Sequence, residues 1–402
     1  MNKNLILITG NFPFSKTETF LETEIIELAK HFENILILPS DISGDRRVLP
    51  ENVKVDETFA TAFSNKNSKV KSMFSITFLI GVMRHFKYIY SLTAMRRINS
   101  YVADWINTEN WLEKKCPFES AVVYTYWLNG KTHGAAQFCK NRSSFRIVSR
   151  THRYDLYDYW FTPPFWPFRQ QLLDILDKLY FISSDGCDYL TRKYSIQKSR
   201  IEITRLGVYN PKNITPKSRD GKIRIVSVSG IIPMKRIDLL ASLLCQYTTE
   251  YPEEEVIWTH MGDGYLKRMM LDFLEEKAPE NLIYYFKGQV DNKSVFDFFR
   301  SHEVDLFINV SESEGLPVSI MEAQSNGIFV AATDVGGVKE IVNNSVGYLM
   351  PKDLDFEIFC KVMKKLKSND LAQPEDIKAF WEKTYDADTN YKRFAKNLID
   401  LD

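Results

Sequence analysis

Leu5-Ile-Leu-Ile-Thr9, then Gly10-Asn-Phe-Pro-Phe-Ser15, then a helical pattern from Glu18 to His31, then Ile35-Leu-Ile-Leu38: these 34 residues set the grammar of the chain. An apolar run, a Gly/Pro loop, an amphipathic stretch and a second apolar run form a βαβ unit, and that unit requires a parallel sheet. Further short apolar runs follow at Ala121–Tyr124, Arg146–Ser149, Lys178–Ile182 and Ile201–Thr204. From Ile223 the same grammar restarts. Ile223–Val228 leads into a loop at Gly230 and a helix near Asp238, and Glu255–Trp258 runs on into His260-Met-Gly-Asp-Gly264. Leu282–Phe286, Asp305–Ile308 and Ile328–Ala331 supply more strands. Two doubly wound α/β domains are expected, each with a sheet covered on both faces. The break between them is expected at Leu206–Gly221, where Gly207, Pro211, Pro216 and Gly221 interrupt a polar stretch.

A chain of 402 residues suits two domains, and 44% hydrophobic with 26% charged residues reads as globular rather than disordered. The net charge is zero but unevenly spread: residues 1–205 carry 28 Lys and Arg against 21 Asp and Glu, and the rest carries 24 against 31. Two readings stand, ordinary surface variation or an N-terminal half that meets an anionic acceptor or membrane surface. Five scattered cysteines without a Cys-x-x-Cys pair point to buried thiols in a reducing compartment. Leu5–Thr9 is too short for a signal peptide and no run of 18 apolar residues occurs, so a cytoplasmic location is expected.

The stretch richest in chemistry is Asn309-Val-Ser-Glu-Ser-Glu-Gly-Leu-Pro-Val-Ser-Ile-Met-Glu-Ala323. A strand ends near Asn309, a Gly/Pro loop follows, and a helix is expected from about Pro317, which tolerates the first helical turn. The amides of Gly315, Leu316, Val318 and Ser319, with the helix dipole behind them, suit a diphosphate. Glu314 and Glu322 stand eight positions apart, at most roughly 12 Å along a helix. Carboxylates accept hydrogen bonds from sugar hydroxyls, so the pair suits the two ends of a sugar nucleotide. Three Asp-x-Asp triplets (353–355, 386–388 and 400–402) lie away from the strand-end loops and read as chance, so no metal and no cofactor is expected.

Glu314–Ala323, with Gly327 and Ala332-Thr-Asp-Val-Gly-Gly-Val-Lys-Glu-Ile341, resembles the Glu-x7-Glu signature of glycosyltransferase family 4, particularly the bacterial members that build surface polysaccharides. That resemblance implies the GT-B fold, two Rossmann-like domains facing a cleft, and a retaining transfer from a nucleotide sugar to a glycan or polyprenyl-linked glycan. It implies that Glu314 contacts the donor sugar, Glu322 the ribose, and the Gly315–Ser319 segment, Pro317 included, the diphosphate and sugar. Val228–Asp238 resembles the family's basic loop, with Lys235 at the Lys position and Gly230 where an Arg is usual; Arg236 is the candidate for the second charge. Gly262 and Gly264 resemble a turn near the nucleotide, and Gly288 and Val290 a backbone contact to the base. Gly10, Asn11, Phe12 and Ser15 are implied to line the acceptor side. Ser149–Tyr157 resembles the segment carrying an active-site His, here His152, with Arg150 or Asp155 orienting donor or acceptor. The domains implied are 1–205, 206–379 and a final segment, 380–402, returning to the first domain.

Met73–Met83 is apolar and flanked by Lys69, Lys71, Arg84, Lys87, Arg96 and Arg97, while Trp160–Phe168 is densely aromatic. This pattern reads either as a monotopic membrane face or acceptor groove, or as two packed helices with a stacked loop. Rival functions are a nucleotide-sugar epimerase, whose acid/base carboxylates find no match here, and a catalytically weak sugar-nucleotide-binding partner subunit, which the absent Arg at Gly230 favours. A nicotinamide dehydrogenase is disfavoured because no Gly-x-Gly-x-x-Gly follows a strand. No feature points to nucleic acid.

Overall fold

The computed structural model describes residues 3–15, 18–64, 66–368 and 371–401. It divides into two compact units, one running to Arg205 and resuming from Asp388, the other spanning Leu206–Ala387. The first holds seven parallel strands, β1 (Asn4–Thr9), β2 (Asn34–Pro39), β3 (Val53–Val55), β4 (Ala121–Thr125), β5 (Phe145–Thr151), β6 (Lys178–Phe181) and β7 (Ile201–Ile203). Their order is β3-β2-β1-β4-β5-β6-β7.

Alternation along β1 shows why this sheet needs cover on both faces. Leu5 and Leu7 join Ile35, Ile37, Val122 and Tyr124 on one face, beneath Leu21, Ile25 and Leu28 of the helix Phe20–His31 and Phe394 and Leu398 of the helix Ala387–Ile399. Ile6 and Ile8 join Leu36, Leu38 and Val123 on the other, beneath Trp111, Leu112, Ala135 and Ala136. Each of the Leu, Ile, Val and Phe side chains, fully buried, contributes roughly 1.5–3 kcal/mol relative to exposure.

The second unit holds six parallel strands, β8 (Ile223–Val228), β9 (Val256–Met261), β10 (Leu282–Phe286), β11 (Leu306–Asn309), β12 (Val330–Thr333) and β13 (Gly347–Met350). Their order, β10-β9-β8-β11-β12-β13, is again doubly wound. In both sheets the winding direction reverses once, between β1 and β4 and between β8 and β11. The crevice beyond the carboxyl ends of the strands at such a reversal is where open α/β sheets bind ligands.

Two edge strands, β3 and β13, lie outside the sequence expectation; both are short and one opens on Gly347. The final crossing also differs from the 379/380 boundary. The helix Pro374–Tyr385 stays in the second unit, and the chain leaves it at Ala387. There Ala387 N donates to Val208 O (3.0 Å), and a Cβ on Gly207 would come within 2.7 Å of the Ala387 Cα. Among the described residues no helix is long and apolar enough to cross a membrane.

Candidate functional site

The reversal between β8 and β11 brings together two loops, 229–236 and 310–317. Lys235 ends a short 3-10 turn begun by Pro233, and its Nζ donates to Glu314 Oε1 at 2.5 Å. Asn309 Nδ2, on the last residue of β11, donates to the same oxygen at 3.2 Å. Glu314 is buried, which by itself raises a carboxyl pKa. The Lys235 charge and the hydrogen bonds from Lys235, Ser311 and Asn309 outweigh that, and the pKa lies below the ordinary value. Glu314 is therefore an ionised carboxylate, with Lys235 as its counter-ion. Gly336 has φ +56° and its Cα approaches so closely that a Cβ would sit 2.0 Å from Glu314 O; Gly337 N donates to Gly315 O at 2.9 Å. The loop after β12 thus clamps the loop after β11.

Pro317 caps the helix Val318–Ser325, so the free amides of its first turn start just after Gly315 and Leu316. Glu322 lies inside this helix, buried, with Asn292 Nδ2 donating to its Oε1 at 2.9 Å. Among the described residues no cation stabilises it, and burial raises its pKa to about 8. The two glutamates thus differ in kind, one ionised and one held neutral near pH 7.

The remaining loops are joined through backbone. Ile231 N donates to Asp263 O (2.9 Å) and Gly262 N to Gly288 O (2.8 Å). A Cβ on Gly262 would lie 1.8 Å from Ser229 O, and one on Gly264 2.2 Å from Ile231 O, so both glycines are needed for this approach. Val290 follows Gly288 at the end of the same loop and is half-buried. Gly230 is different: an added Cβ meets only Asp263 O, at an ordinary 3.6 Å.

Arg236 does not supply the second charge expected of it. It caps the helix Ile237–Glu250 with φ +50°, and its guanidinium donates to the carbonyls of Val310 (2.6 Å), Lys352 (2.9 Å) and Ser311 (3.3 Å). Those bonds hold the two reversal loops together. Asp355, of one Asp-x-Asp triplet, caps the helix Phe356–Leu366 by accepting from Ile358 N.

In the first unit the reversal loops meet on Glu18, which lies in the Gly10–Phe20 segment of the resemblance but is given no role there. Its carboxylate accepts from the amides of Gly10 (2.9 Å), Asn11 (2.7 Å) and Phe12 (2.7 Å), and from the indole of Trp127 in the loop after β4. Nothing local could reveal that partner, 109 residues away. Phe12 does not line the acceptor side with its side chain, as the resemblance implies. Its ring is buried in the core, and only its backbone faces the loop. Ser15 sits at φ +56° in the same loop, and Lys16 and Thr17, which follow it, lie outside the described residues.

His152 follows β5. Its ring lies 4.3 Å from Tyr126 and 4.9 Å from Trp127 between centroids, with both nitrogens buried and the Tyr126 backbone beside them. Burial, then the nearby Arg150 charge, pushes its pKa well below the usual value, so the ring is neutral. Asp155 does not present its carboxylate to a ligand as expected. One oxygen accepts from His152 N (2.7 Å), the other from Leu128 N (2.6 Å), and burial raises its pKa to about 6. It holds His152 in register with the loop after β4.

Arg150 corrects a further expectation. It is fully buried, paired with Glu24 at 2.6 Å, bonded to Thr204 O at 2.6 Å, and stacked 4.6 Å from Phe394. It points into the core and anchors the C-terminal helix instead of an acceptor. Ser183 is a helix cap, accepting from Gly186 N at 3.1 Å.

Two doubly wound units with a basic loop and a Glu-rich loop meeting at one reversal define the chain's class as GT-B. Residues 212–383 match the family model "Glycosyl transferases group 1". That match lies wholly within the second unit. Curated relatives include the Escherichia coli "O-antigen biosynthesis glycosyltransferase WbnH", 28% identical over 40% of this chain and 48% of its own length. Another is the Erwinia amylovora "Amylovoran biosynthesis glycosyltransferase AmsK", 25% identical over 42% of this chain and 43% of its own. The chain thus spans less than half the length of these curated relatives. Solved structures are similar over almost the whole chain. The "lipopolysaccharide outer core galactosyltransferase WaaB apo form" aligns over 98% of this chain and 99% of its own with a TM-score of 0.70 at 17% identity. Anabaena HepE, solved "in complex with UDP and glucose", aligns over all of both chains with a TM-score of 0.64 at 14% identity.

Proposed function

We propose that this protein is a retaining glycosyltransferase that moves a sugar from a nucleoside-diphosphate sugar to a glycan or polyprenyl-linked glycan during surface-polysaccharide synthesis. The observation that carries the reading is the Lys235–Glu314 pair at the β8/β11 reversal, beside the first turn of the helix Val318–Ser325. A diphosphate arriving at those amides competes with Glu314 for the Lys235 ammonium. Lys235 then neutralises the charge that develops as the sugar–phosphate bond breaks, and Glu314 is released to accept from donor-sugar hydroxyls. Glu322, neutral but able to ionise, accepts from ribose hydroxyls.

In this reading the acceptor hydroxyl attacks the anomeric carbon on the face the diphosphate leaves. The departing phosphate oxygen takes the acceptor proton, so no side chain acts as nucleophile and no metal or cofactor is required. Neutral His152 can offer a ring nitrogen to a sugar hydroxyl beside the contact it makes with the Tyr126 backbone. A second reading, a sugar-nucleotide-binding subunit with weak transfer, is favoured by one observation: with Gly230 lacking a side chain and Arg236 spent on carbonyls, Lys235 is the one cation left of the three candidate positions.

The test is thermal stabilisation by UDP-, GDP- and ADP-linked sugars, followed by hydrolysis and transfer assays with the best stabiliser. Stabilisation by none of them sinks both readings. Stabilisation without turnover selects the second.

A further inference from the structure

The helix Ile76–Arg84 in the first unit is apolar on two sides. Phe78 and Ile80 pack inward on the cluster of Ala94, Ile98, Tyr101, Val102, Phe165, Trp166 and Phe168. Gly81 lets the helix lie close, since a Cβ there would meet Ile98 at 2.8 Å and Phe168 at 2.9 Å. The inner side is therefore complete. The outer side carries Ile76 (75% exposed), Leu79 and Met83, continued by Phe74 (87%), Phe86 (72%), Tyr90 (98%) and Leu92. A helix apolar all round is normally buried, and an apolar patch this continuous on a folded chain marks an interaction surface.

The charges around it identify what covers it. Residues 58–103 contain seven Lys and Arg and no Asp or Glu. Lys69, Lys71, Arg84, Lys87 and Arg96 are all exposed around the apolar residues. Beside the patch opens a cavity of about 370 Å³ lined in part by Arg84, Lys87, Tyr88, Trp166 and the Lys193–Asp158 ion pair, where Arg84 and Lys87 stand next to aromatic rings. Aromatic and aliphatic tips ringed by cations, the one nearby carboxylate of the cavity wall, Asp158, being taken up by Lys193, suit an interface whose inside is hydrocarbon and whose rim is phosphate. A second copy of the chain fits poorly, because a two-fold contact sets the same patch against itself and so cation against cation.

We infer that the face formed by Lys69–Arg96 docks on an anionic lipid bilayer, its apolar side chains entering the headgroup boundary and its cations pairing with lipid phosphates. This inference is independent of the transfer reading. It also explains how a chain with no crossing helix among its described residues could meet a lipid-linked acceptor.

The experiment is flotation with phosphatidylcholine vesicles and with vesicles in which about one lipid in three is phosphatidylglycerol, beside light scattering of the free protein. The expected result is flotation with the anionic vesicles and weak flotation with the neutral ones. Phe74→Ser/Ile76→Ser/Leu79→Ser, all at exposed positions, should weaken the anionic partition about tenfold or more. Lys69→Gln/Lys71→Gln/Arg84→Gln/Lys87→Gln should do the same and abolish the preference for anionic lipid. Circular dichroism and sugar-nucleotide stabilisation of both variants should match the parent, which separates lost docking from lost folding. Absence of flotation, equal flotation of parent and variants, or a dimer that the serine variant disperses would each overturn the inference.

Discussion

Lys235 Nζ and Glu314 Oε1 stand 2.5 Å apart although 79 residues separate them in sequence. The pair exists because the winding of the second sheet reverses between β8 and β11, so that the loops following these neighbouring strands share one crevice. Each partner satisfies the other: the carboxylate occupies the cation, and the cation holds the carboxylate ionised. That relationship leads to the first prediction.

Lys235→Ala should lower kcat by about 100-fold, the scale seen when a preorganised transition-state charge is removed. Glu314→Ala should lower transfer while leaving sugar-nucleotide affinity largely intact, and Glu322→Ala should weaken nucleotide binding. Calorimetric titration beside initial-rate kinetics separates these outcomes; equal binding losses for both glutamate variants contradict the roles assigned.

Glu322 should make the unliganded protein's stability depend on pH. Burial raises its folded pKa to about 8 from an ordinary 4.5. The folded state therefore holds a proton that the unfolded state loses between these values. Stability from this group is full below pH 4.5 and declines as pH rises toward 8. Glu322→Gln keeps the neutral form at all pH values. Its melting temperature should exceed the parent's, by a margin that widens from about pH 5 to about pH 8, when both are scanned without nucleotide.

Gly230→Arg should be tolerated and should tighten sugar-nucleotide binding, because the site has room and the family resemblance puts a cation there. Gly262→Ala is the contrasting case: its Cβ would collide with Ser229 O at 1.8 Å, and φ of +144° is closed to alanine. That variant should lose nucleotide-dependent stabilisation and melt lower than the parent, as thermal shift assays can show.

Arg150→Met should destabilise the fold by about 3–5 kcal/mol by stranding Glu24, whose pKa burial already raises. Glu24→Met/Arg150→Met, which strands neither charge, should recover much of that loss in urea denaturation. Transfer should recover with it; were Arg150 an acceptor ligand, the double variant would fold and yet fail in transfer.

The amino-acid sequence alone determined the repeated strand–loop–helix grammar, because apolar runs bounded by glycine and proline leave a parallel sheet few alternatives. It also determined the Glu314–Glu322 segment, since that chemistry is contiguous and local. The edge strands β3 and β13 escaped it: runs of three and four residues carry too little periodicity to be read. The tertiary structure alone decided which charged residues are available. Arg150, Asp155 and Arg236 look alike in sequence as polar residues near strand ends, yet each is turned onto buried carboxylates, amides or carbonyls that the packing leaves in need of partners. Glu18 became the junction of the first unit's reversal loops for the same reason. Hydrogen bonding of buried groups is settled by which distant loops the sheet brings together, and strand order, not local sequence, decides that.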